Sequence, residues 1–309
     1  MSPRGLSRGT AIATALLLAA VAIAGCGLGP GAEVGSVELS VSREFGAEQV
    51  VEDSVEANES DTVMRLLEGS AAIETRYGGG YVKSIEGIEE TRRGGDPYDW
   101  FFFVDGVESP VGAAEYPLRG SERIWWDFRD WKATNHVPAV VGSWPAPFTD
   151  GYEGERHPVA VECLGGGVEA ACEGVEAALE EEGVRLSRRS PSGTVRVLVG
   201  EWAALRSDSA AAQLERGPAV SGVYAEFEPG EGGYRLAGLD AEGDAVRRFA
   251  PDAGLVAATR ELEGPPVWLV TGLTPAAVQA AADRLDRDDL RDHYAVVSEG
   301  GALTPLPVR

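Results

Sequence analysis

The chain has 309 residues, with 50 acidic and 27 basic side chains and a formal net charge of −23. This balance argues against a nucleic-acid-binding protein, because phosphate contacts need clustered Lys and Arg side chains. Apolar residues make up 44% of the chain, which excludes a disordered acidic tail and predicts one or two globular domains.

The first 26 residues have the pattern of an exported protein. Arg4 and Arg8 form a positive n-region, and the apolar run from Ala11 to Ala24 is shorter than the roughly 20 residues of a membrane-spanning helix. The stretch Ile23-Ala24-Gly25-Cys26 resembles a bacterial lipobox, which implies cleavage after residue 25 and acylation of Cys26. We therefore expect a lipoprotein signal peptide over residues 1–25 and an anchor in the outer, extracytoplasmic face of the cell membrane. An ordinary signal peptide that ends near a cysteine is the alternative.

Two further cysteines favour a disulfide bond. Cys163 and Cys172 lie close together in a chain that is expected to reach an oxidising compartment. Two reduced thiols are the alternative. A metal site is not expected, because His136, His157 and His293 are scattered and none has ligand spacing from a cysteine.

The mature chain is expected to begin with a tether and a strand hairpin. Residues 26–35 are rich in glycine and lack an apolar period, which is typical of a flexible tether. Residues 36–45 alternate between apolar and polar side chains and predict a half-buried strand, with residues 48–57 as its hairpin partner. Ser60 or Asp61 is expected to cap a short helix.

The strongest local pattern is a pair of aromatic strands. Residues 99–104 have the sequence Asp-Trp-Phe-Phe-Phe-Val and are followed by Asp105-Gly106, a dipeptide of tight hairpin turns. Residues 124–128, Ile-Trp-Trp-Asp-Phe, predict a closing strand. Both strands carry aromatic side chains on both faces, which indicates burial on both sides or a binding surface on one.

The order of these motifs points to a family. A strand hairpin and a short helix precede the motifs Trp100 to Gly106, Gly112-Ala113, Tyr116-Pro117-Leu118-Arg119-Gly120 and Ile124-Trp125-Trp126. This order, from Val34 to Trp131, resembles the transcobalamin C-terminal-like domain family, although Ser121 stands where the family usually has an acid. The resemblance implies a β-grasp-like domain over residues 36–132. Because the module covers one face of the corrinoid in animal cobalamin carriers, the resemblance also implies a cobalamin-like ligand.

The remainder of the chain is expected to form a linker and a second domain. Residues 133–157 contain several prolines and glycines and predict an interdomain linker. Residues 158–309 alternate short apolar strands with helices rich in Ala, Glu and Leu, including one over residues 203–216. The expected fold class is therefore α+β: an N-terminal β-grasp-like, transcobalamin C-terminal-like domain, followed by a mixed α/β layered domain with parallel strand pairs.

The aromatic strands supply the candidate ligand-binding residues. Alternation along the first strand places Trp100 and Phe102 on one face, with Phe101 and Phe103 opposite them. In the closing strand, rings and charges share one face, on which Asp127 and Arg129 are expected to orient a ligand. The full candidate set is Tyr98, Trp100, Trp125, Asp127, Arg129 and Trp131. The alternative is that these rings bury the contact between the two domains.

No catalytic motif is present in the mature chain. It contains neither a Gly-x-Ser-x-Gly nucleophile elbow nor a His-Glu-x-x-His zinc motif, and neither of its two lysines lies in a phosphate loop. We therefore expect a protein that is not an enzyme and has no resident cofactor. The favoured function is binding of a small, corrinoid-like ligand at the cell envelope, as an accessory to a transporter. The alternative is a surface interaction protein whose aromatic patch binds a protein or a glycan.

Overall fold

The computed structural model describes residues 31–230 and 232–309. The predicted signal peptide, the predicted lipidated Cys26 and most of the predicted tether lie outside the described residues. Within the described ranges, every helix is too short or too polar to cross a membrane. The fold is mixed and rich in strands, in agreement with the α+β class, and its described part contains four sheets.

The first half of the chain, residues 31–132, forms one large and one small sheet. Its elements are β1 (Glu33–Arg43), β2 (Glu48–Asn58), α1 (Val63–Ser70), β3 (Ile73–Arg76), β4 (Tyr81–Ile85), β5 (Ile88–Glu89), β6 (Thr91–Arg93), β7 (Asp96–Val104), β8 (Val107–Glu108) and β9 (Arg123–Asp130). The large sheet has the order β2-β1-β9-β7-β6, with β8 paired to β7, and the small sheet is β3-β4-β5. Strands β1 and β9 run parallel, whereas β9 and β7 are antiparallel.

Alternation along β9 divides its side chains between two cores. Ile124, Trp126 and Phe128 pack with α1 in the core of the first half. Trp125 points to the opposite face and packs in a core that it shares with the second half of the chain. The predicted division of this strand into an apolar face and a face of mixed rings and charges is therefore confirmed.

The second half, residues 158–309, is built on a six-stranded sheet. Its elements are β10 (Val159–Leu164), α3 (Glu169–Glu181), β11 (Val195–Glu201), α4 (Trp202–Leu205), α5 (Pro218–Ser221), β12 (Ala225–Gly230), β13 (Gly233–Leu239), β14 (Ala245–Arg248), β15 (Gly254–Arg260), β16 (Pro266–Gly272), α6 (Pro275–Ala282), α7 (Arg287–Leu290), β17 (Ala295–Glu299) and β18 (Ala302–Leu306). The sheet order is β10-β11-β16-β15-β17-β18. The first three strands are parallel, as predicted, and the last three are antiparallel to their neighbours.

The two faces of this sheet are covered by different partners. Val197 and Val199 point to the face covered by α3 and α6, while Leu198 points to the face that meets the first half. The Cys163–Cys172 disulfide is present and joins β10 to α3, which confirms the predicted bridge. A third sheet, β12-β13-β14, adds Phe227 and other apolar residues to the core shared by the two halves.

Part of the segment predicted as a linker is packed between the two halves, and we call residues 137–148 the wedge. All residues from 137 to 148 are buried, and the segment contains the short helix α2 (Ala146–Thr149). Val140 joins the core shared by the halves, and Trp144 packs against Trp268 in the helix-covered core, with ring centroids 5.6 Å apart and the ring planes tilted by 57°. Pro and Gly content correctly indicated irregular backbone, and the apolar side chains between those residues are packed. That the segment links two domains stays a prediction.

Three local predictions differ from the structure. The cap of α1 is Thr62, whose Oγ1 accepts a hydrogen bond from the backbone N of Arg65 at 3.3 Å. The helix expected over residues 203–216 is broken into α4 and a separate 3-10 turn. Strand β15 was not predicted, because all seven of its residues are buried and a strand buried on both faces has no polar alternation.

The Asp105-Gly106 turn has the expected geometry. Both residues have positive φ, 52° and 79°, and the turn joins β7 to β8. The Asp105 side chain is buried and its Oδ1 accepts a hydrogen bond from the backbone N of Arg123 at 2.9 Å. Burial raises the pKa of Asp105 well above its ordinary value, and the nearby carboxylate of Glu122 adds to the shift.

Replacing this buried carboxylate should change how stability depends on pH. Because the pKa of Asp105 is higher in the folded state than in the unfolded state, protonation of this group stabilises the fold. This contribution is complete below the unfolded pKa of about 4 and is lost as the pH rises through the folded pKa. Asp105→Asn keeps the acceptor oxygen and tolerates positive φ. We expect the free energy of unfolding of the variant, relative to wild type, to rise as the pH increases from about 4 to the raised folded-state pKa, by roughly 1.4 kcal/mol for each unit by which the pKa is raised. Urea unfolding at a series of pH values measures it, and parallel curves would contradict the prediction. The exposed Asp53→Asn is the control.

Candidate functional site

The mixed face of β9 is buried where the two halves meet. Trp125 is completely buried and its ring lies 5.2 Å from that of Tyr294 and 5.4 Å from that of Phe103, measured between centroids. Its indole N–H donates to Ser42 Oγ at 2.8 Å. The backbones also approach closely: a Cβ on Gly46, which has a φ of 81°, would lie 1.7 Å from the carbonyl oxygen of Asp292. Only glycine fits at that contact.

Asp127 is a buried acceptor that joins the two halves. Its Oδ1 accepts hydrogen bonds from Ser42 Oγ at 2.7 Å and from the backbone N of Gly46 at 3.1 Å, and its Oδ2 accepts one from the Tyr294 hydroxyl at 3.0 Å. Burial raises the pKa of Asp127, against the effect of these hydrogen bonds and of the positive charge of Arg129. The donors to this carboxylate thus come from both halves of the protein.

Arg129 is a fully buried cation on the same face. Its Nη1 donates to the carbonyl oxygens of Asp130 and Thr134 at 3.0 and 2.8 Å, and its guanidinium carbon lies 3.9 Å from the centroid of the Phe101 ring. Its Nε and Nη2 have no hydrogen-bond partner in the described part of the chain. Because an aromatic face stabilises a desolvated cation, Phe101 compensates part of the cost of burial.

The six sequence-predicted ligand residues do not form one exposed surface. Trp125, Asp127 and Arg129 are completely buried between the halves, and Trp100 lies on the opposite face of the sheet, in the core of the first half. Tyr98 and Trp131 are partly exposed and line a shallow depression of about 290 Å³ at the edge of the sheet. The alternative interpretation, in which the rings bury the contact between domains, describes the position of Trp125. Whether any of these residues binds a ligand stays a prediction.

A groove opens at the edge of the same contact. It has a volume of about 500 Å³ and lies between β1, β2 and β9 of the first half and the segment around α7 of the second. We call it the interface groove; its polar lining includes Glu38, Ser40, Glu52, Arg123, Arg287 and Arg291. A second groove of about 390 Å³, lined by Trp144 and other residues of the wedge, shares Glu38, Arg123 and Arg287 with it.

The floor of the interface groove is formed by Arg123, which makes a buried ion pair beneath it. Arg123 Nη2 lies 2.9 Å from Asp292 Oδ1, and the side chains are only 5% and 6% exposed. Asp292 Oδ2 also accepts a hydrogen bond from Ser40 Oγ at 2.9 Å. Arg123 comes from β9 and Asp292 from the segment before β17, so this pair fixes the two halves to each other.

The rim of the interface groove carries two half-exposed guanidinium groups. Arg287 Nη1 lies 3.1 and 3.0 Å from the two carboxylate oxygens of Glu38, and Arg291 pairs with Glu52. The exposed fractions of the two arginine side chains are 45% and 37%. Rim pairs of this kind are weak, so an anionic or amide-bearing ligand could replace the carboxylates without a large cost.

Sequence reasoning missed this groove for a clear reason. Arg123 is separated from Asp292 by 169 residues and Glu38 from Arg287 by 249. No motif links positions so far apart, and each residue alone looks like an ordinary surface charge. The one local signal was the polar face of β1, whose alternation marked Glu38 and Ser40 as a pair on one side of a strand.

Comparisons with known proteins match only part of the chain. Residues 60–130 match the family model of a domain of unknown function, DUF4430. Among solved structures, the chain is similar to a candidate metal-binding protein from Ruminococcus gnavus, with 14% identity and a TM-score of 0.24, over 31% of this chain and 97% of that one. It is also similar to haptocorrin in complex with Cbi, with 18% identity and a TM-score of 0.24, over 31% of this chain and 26% of that one. The chain thus spans about a quarter of the length of haptocorrin. No curated protein matches the chain.

The buried pair in the groove floor gives a direct test of the contact between the halves. Arg123→Met removes the nearer cation of the buried Asp292 and leaves only Arg291, whose Nε lies 3.8 Å from Asp292 Oδ2, so the free energy of unfolding should fall by up to about 3 to 5 kcal/mol. The double variant Arg123→Met/Asp292→Asn should recover part of this loss, because no unpaired charge remains. Urea unfolding measures both.

Arg248→Met is the matched control, since it removes a half-exposed arginine paired with Glu228 and should cost at most about 1 kcal/mol. Equal losses for Arg123→Met and Arg248→Met would show that the groove floor is not a structural connection.

Proposed function

We propose that this protein is held at the extracytoplasmic face of the cell membrane by a lipid on Cys26 and binds a small polar ligand in the interface groove. The observation that carries the binding proposal is the groove itself, with a volume of about 500 Å³ and three guanidinium groups in its wall. Clefts of this size between packed modules are common ligand sites.

The chemistry of the groove defines the kind of ligand. Arg123 is buried and already paired, so it holds the floor in place, whereas Arg287 and Arg291 stand at the rim with half-exposed donors. A guanidinium presents five N–H donors in a rigid plane and suits carboxylate, phosphate and amide oxygens. The ligand is therefore an acceptor-rich small molecule.

A corrinoid is the first ligand to test. Its ring carries a rim of amide groups, which accept hydrogen bonds from guanidinium donors. The sequence resemblance to transcobalamin C-terminal-like domains supports the same choice, and the DUF4430 match covers residues 60–130 of the region concerned. A protein of this kind would pass its ligand to a transporter in the membrane.

The competing function, an interaction protein with an exposed aromatic patch, has less support. The large apolar side chains that are exposed within the described residues are Tyr77, Val111, Val246 and Leu262, and none belongs to β7 or β9. Isolated exposed apolar residues are normal on a protein surface.

Ligand binding can be tested with the purified full-length protein. Mass spectrometry after native extraction should detect a co-purifying small molecule, and calorimetric titration with cobalamin and with cobinamide should give a measurable Kd. Arg287→Ala and Arg291→Ala should each weaken binding by about 10- to 100-fold, because each removes a charge-assisted hydrogen bond.

Arg248→Ala, which lies outside the interface groove, is the control and should bind like wild type. Binding that is unchanged in both rim variants would remove the groove from the proposal. A protein without a co-purifying ligand and without affinity for either corrinoid would favour the interaction protein.

The anchor can be tested by cell fractionation. Cys26→Ser removes the acylated thiol, so the protein should move from the membrane fraction to the soluble fraction. Two or more acyl chains hold a protein stably, since each buried methylene contributes about 0.8 kcal/mol. Cys172→Ser is the matched control and should stay in the membrane fraction, because Cys172 pairs with Cys163. A Cys26→Ser protein that remains membrane-bound would overturn the anchor.

A further inference from the structure

Three carboxylates meet where β7, β9 and the β13–β14 turn come together. Asp96 is the first residue of β7, Asp130 is the last residue of β9, and Glu242 lies in the turn. One oxygen from each lies within 4.8 Å of the other two. Asp96 and Asp130 belong to the first half and Glu242 to the second, so only the packing of the halves creates this cluster.

Asp130 provides the second observation. Its side chain is 98% buried, since only 2% of its surface is exposed. Its Oδ1 accepts a hydrogen bond from the backbone N of Lys132 at 2.5 Å, but its Oδ2 is buried and has no hydrogen-bond partner in the described part of the chain. A buried carboxylate oxygen without a hydrogen-bond donor is costly, so a cation bound at this oxygen would be favourable.

One ammonium group lies beside the cluster. Lys132 Nζ is 3.0 Å from Asp96 Oδ1, and its side chain is 52% exposed. The Lys132 ammonium and the buried Arg129 guanidinium, whose Nη1 donates to the backbone oxygen of Asp130, place two positive charges near three carboxylates. The cluster therefore keeps an excess of negative charge, which attracts a cation.

We propose that Asp96, Asp130 and Glu242 bind a calcium ion that joins the two halves of the protein. Carboxylate oxygens are the ligands of hard divalent cations. Ca²⁺ takes six to eight oxygen ligands in flexible geometry, which suits carboxylates from three separate segments, whereas Mg²⁺ demands a near-ideal octahedron.

This site is separate from the interface groove. Arg123 begins β9 and Asp130 ends it, so the two positions lie about 23 Å apart along an extended strand. Loss of ligand binding in the groove and loss of calcium binding here are therefore distinguishable results. The calcium site would hold the halves together at the end of the contact that the Arg123–Asp292 pair does not reach.

The test is calorimetric titration of chelator-treated full-length protein with CaCl₂, at physiological ionic strength. Wild type should bind one Ca²⁺, and its melting temperature should rise with added Ca²⁺, because a ligand of the folded state stabilises it. Glu242→Gln should raise the Kd by about tenfold or more, since affinity follows the charge of the ligand set. Glu242 is exposed and makes no ion pair within the described residues, so this variant should fold normally.

Lys132→Met distinguishes the site from a merely structural cluster. If the ammonium competes for the same carboxylates, its removal should tighten Ca²⁺ binding several-fold, whereas a structural role of Lys132 predicts no gain. Asp130→Asn should abolish binding. The control is Glu180→Gln, on the acidic surface of α3, which should bind Ca²⁺ like wild type.

Three results would overturn the proposal. The first is the absence of Ca²⁺ binding by wild type. The second is equal binding by wild type, Glu242→Gln and Asp130→Asn, which would mean general attraction to an acidic protein. The third is equal affinity for Mg²⁺, which would overturn the choice of Ca²⁺.

Discussion

The structure depends on the burial of a mixed face of one strand. Strand β9 presents Trp125, Asp127 and Arg129 to the second half of the chain, and all three side chains are completely buried. A charge removed from water is stable only if hydrogen bonds or opposite charges replace the solvent. The hydrogen bonds from Ser42 and Tyr294 to Asp127 meet this requirement with donors from both halves. The two halves are therefore a single packed unit at this contact.

The same requirement explains the features around the contact. The wedge at residues 137–148 fills the space beside β9 with apolar side chains and excludes water from the buried charges. Gly46 removes the side chain that would separate the two backbones. At the edge of the contact lies the interface groove, where Arg123 and Asp292 form a buried ion pair. Farther out, the side chains of Arg287 and Arg291 reach solvent.

This arrangement links the proposed ligand site and the proposed calcium site through one interface. The groove lies at the Arg123 end of β9 and the carboxylate cluster at the Asp130 end. Each site takes residues from both halves, so an occupant of either would stabilise the contact between them. The chain is strongly acidic, and the cluster of Asp96, Asp130 and Glu242 carries an excess of negative charge. In the interface groove, by contrast, arginine side chains supply the proposed donors to the ligand.

The sequence by itself determined several local features in both halves of the chain. The alternation in β1 and β9, the Asp105-Gly106 turn and the pairing of Cys163 with Cys172 all follow from neighbours along the chain, and all three are present. Local patterns record which side of a strand is polar and where a turn can form, because these properties depend on a few consecutive residues. They also showed that one face of β9 combines rings with charges.

Only the tertiary structure decided what that face contacts. A mixed strand face is compatible with a ligand surface or with a domain contact, and the difference lies in residues such as Tyr294, more than 160 positions away. The groove and the carboxylate cluster escaped prediction for the same reason, since Glu38 and Arg287, or Asp130 and Glu242, approach one another only when the halves pack. The sequence pattern predicted neither strand β15 nor the burial of the wedge. Exposure is predicted from the alternation of polar and apolar residues, and a completely buried segment has no such alternation.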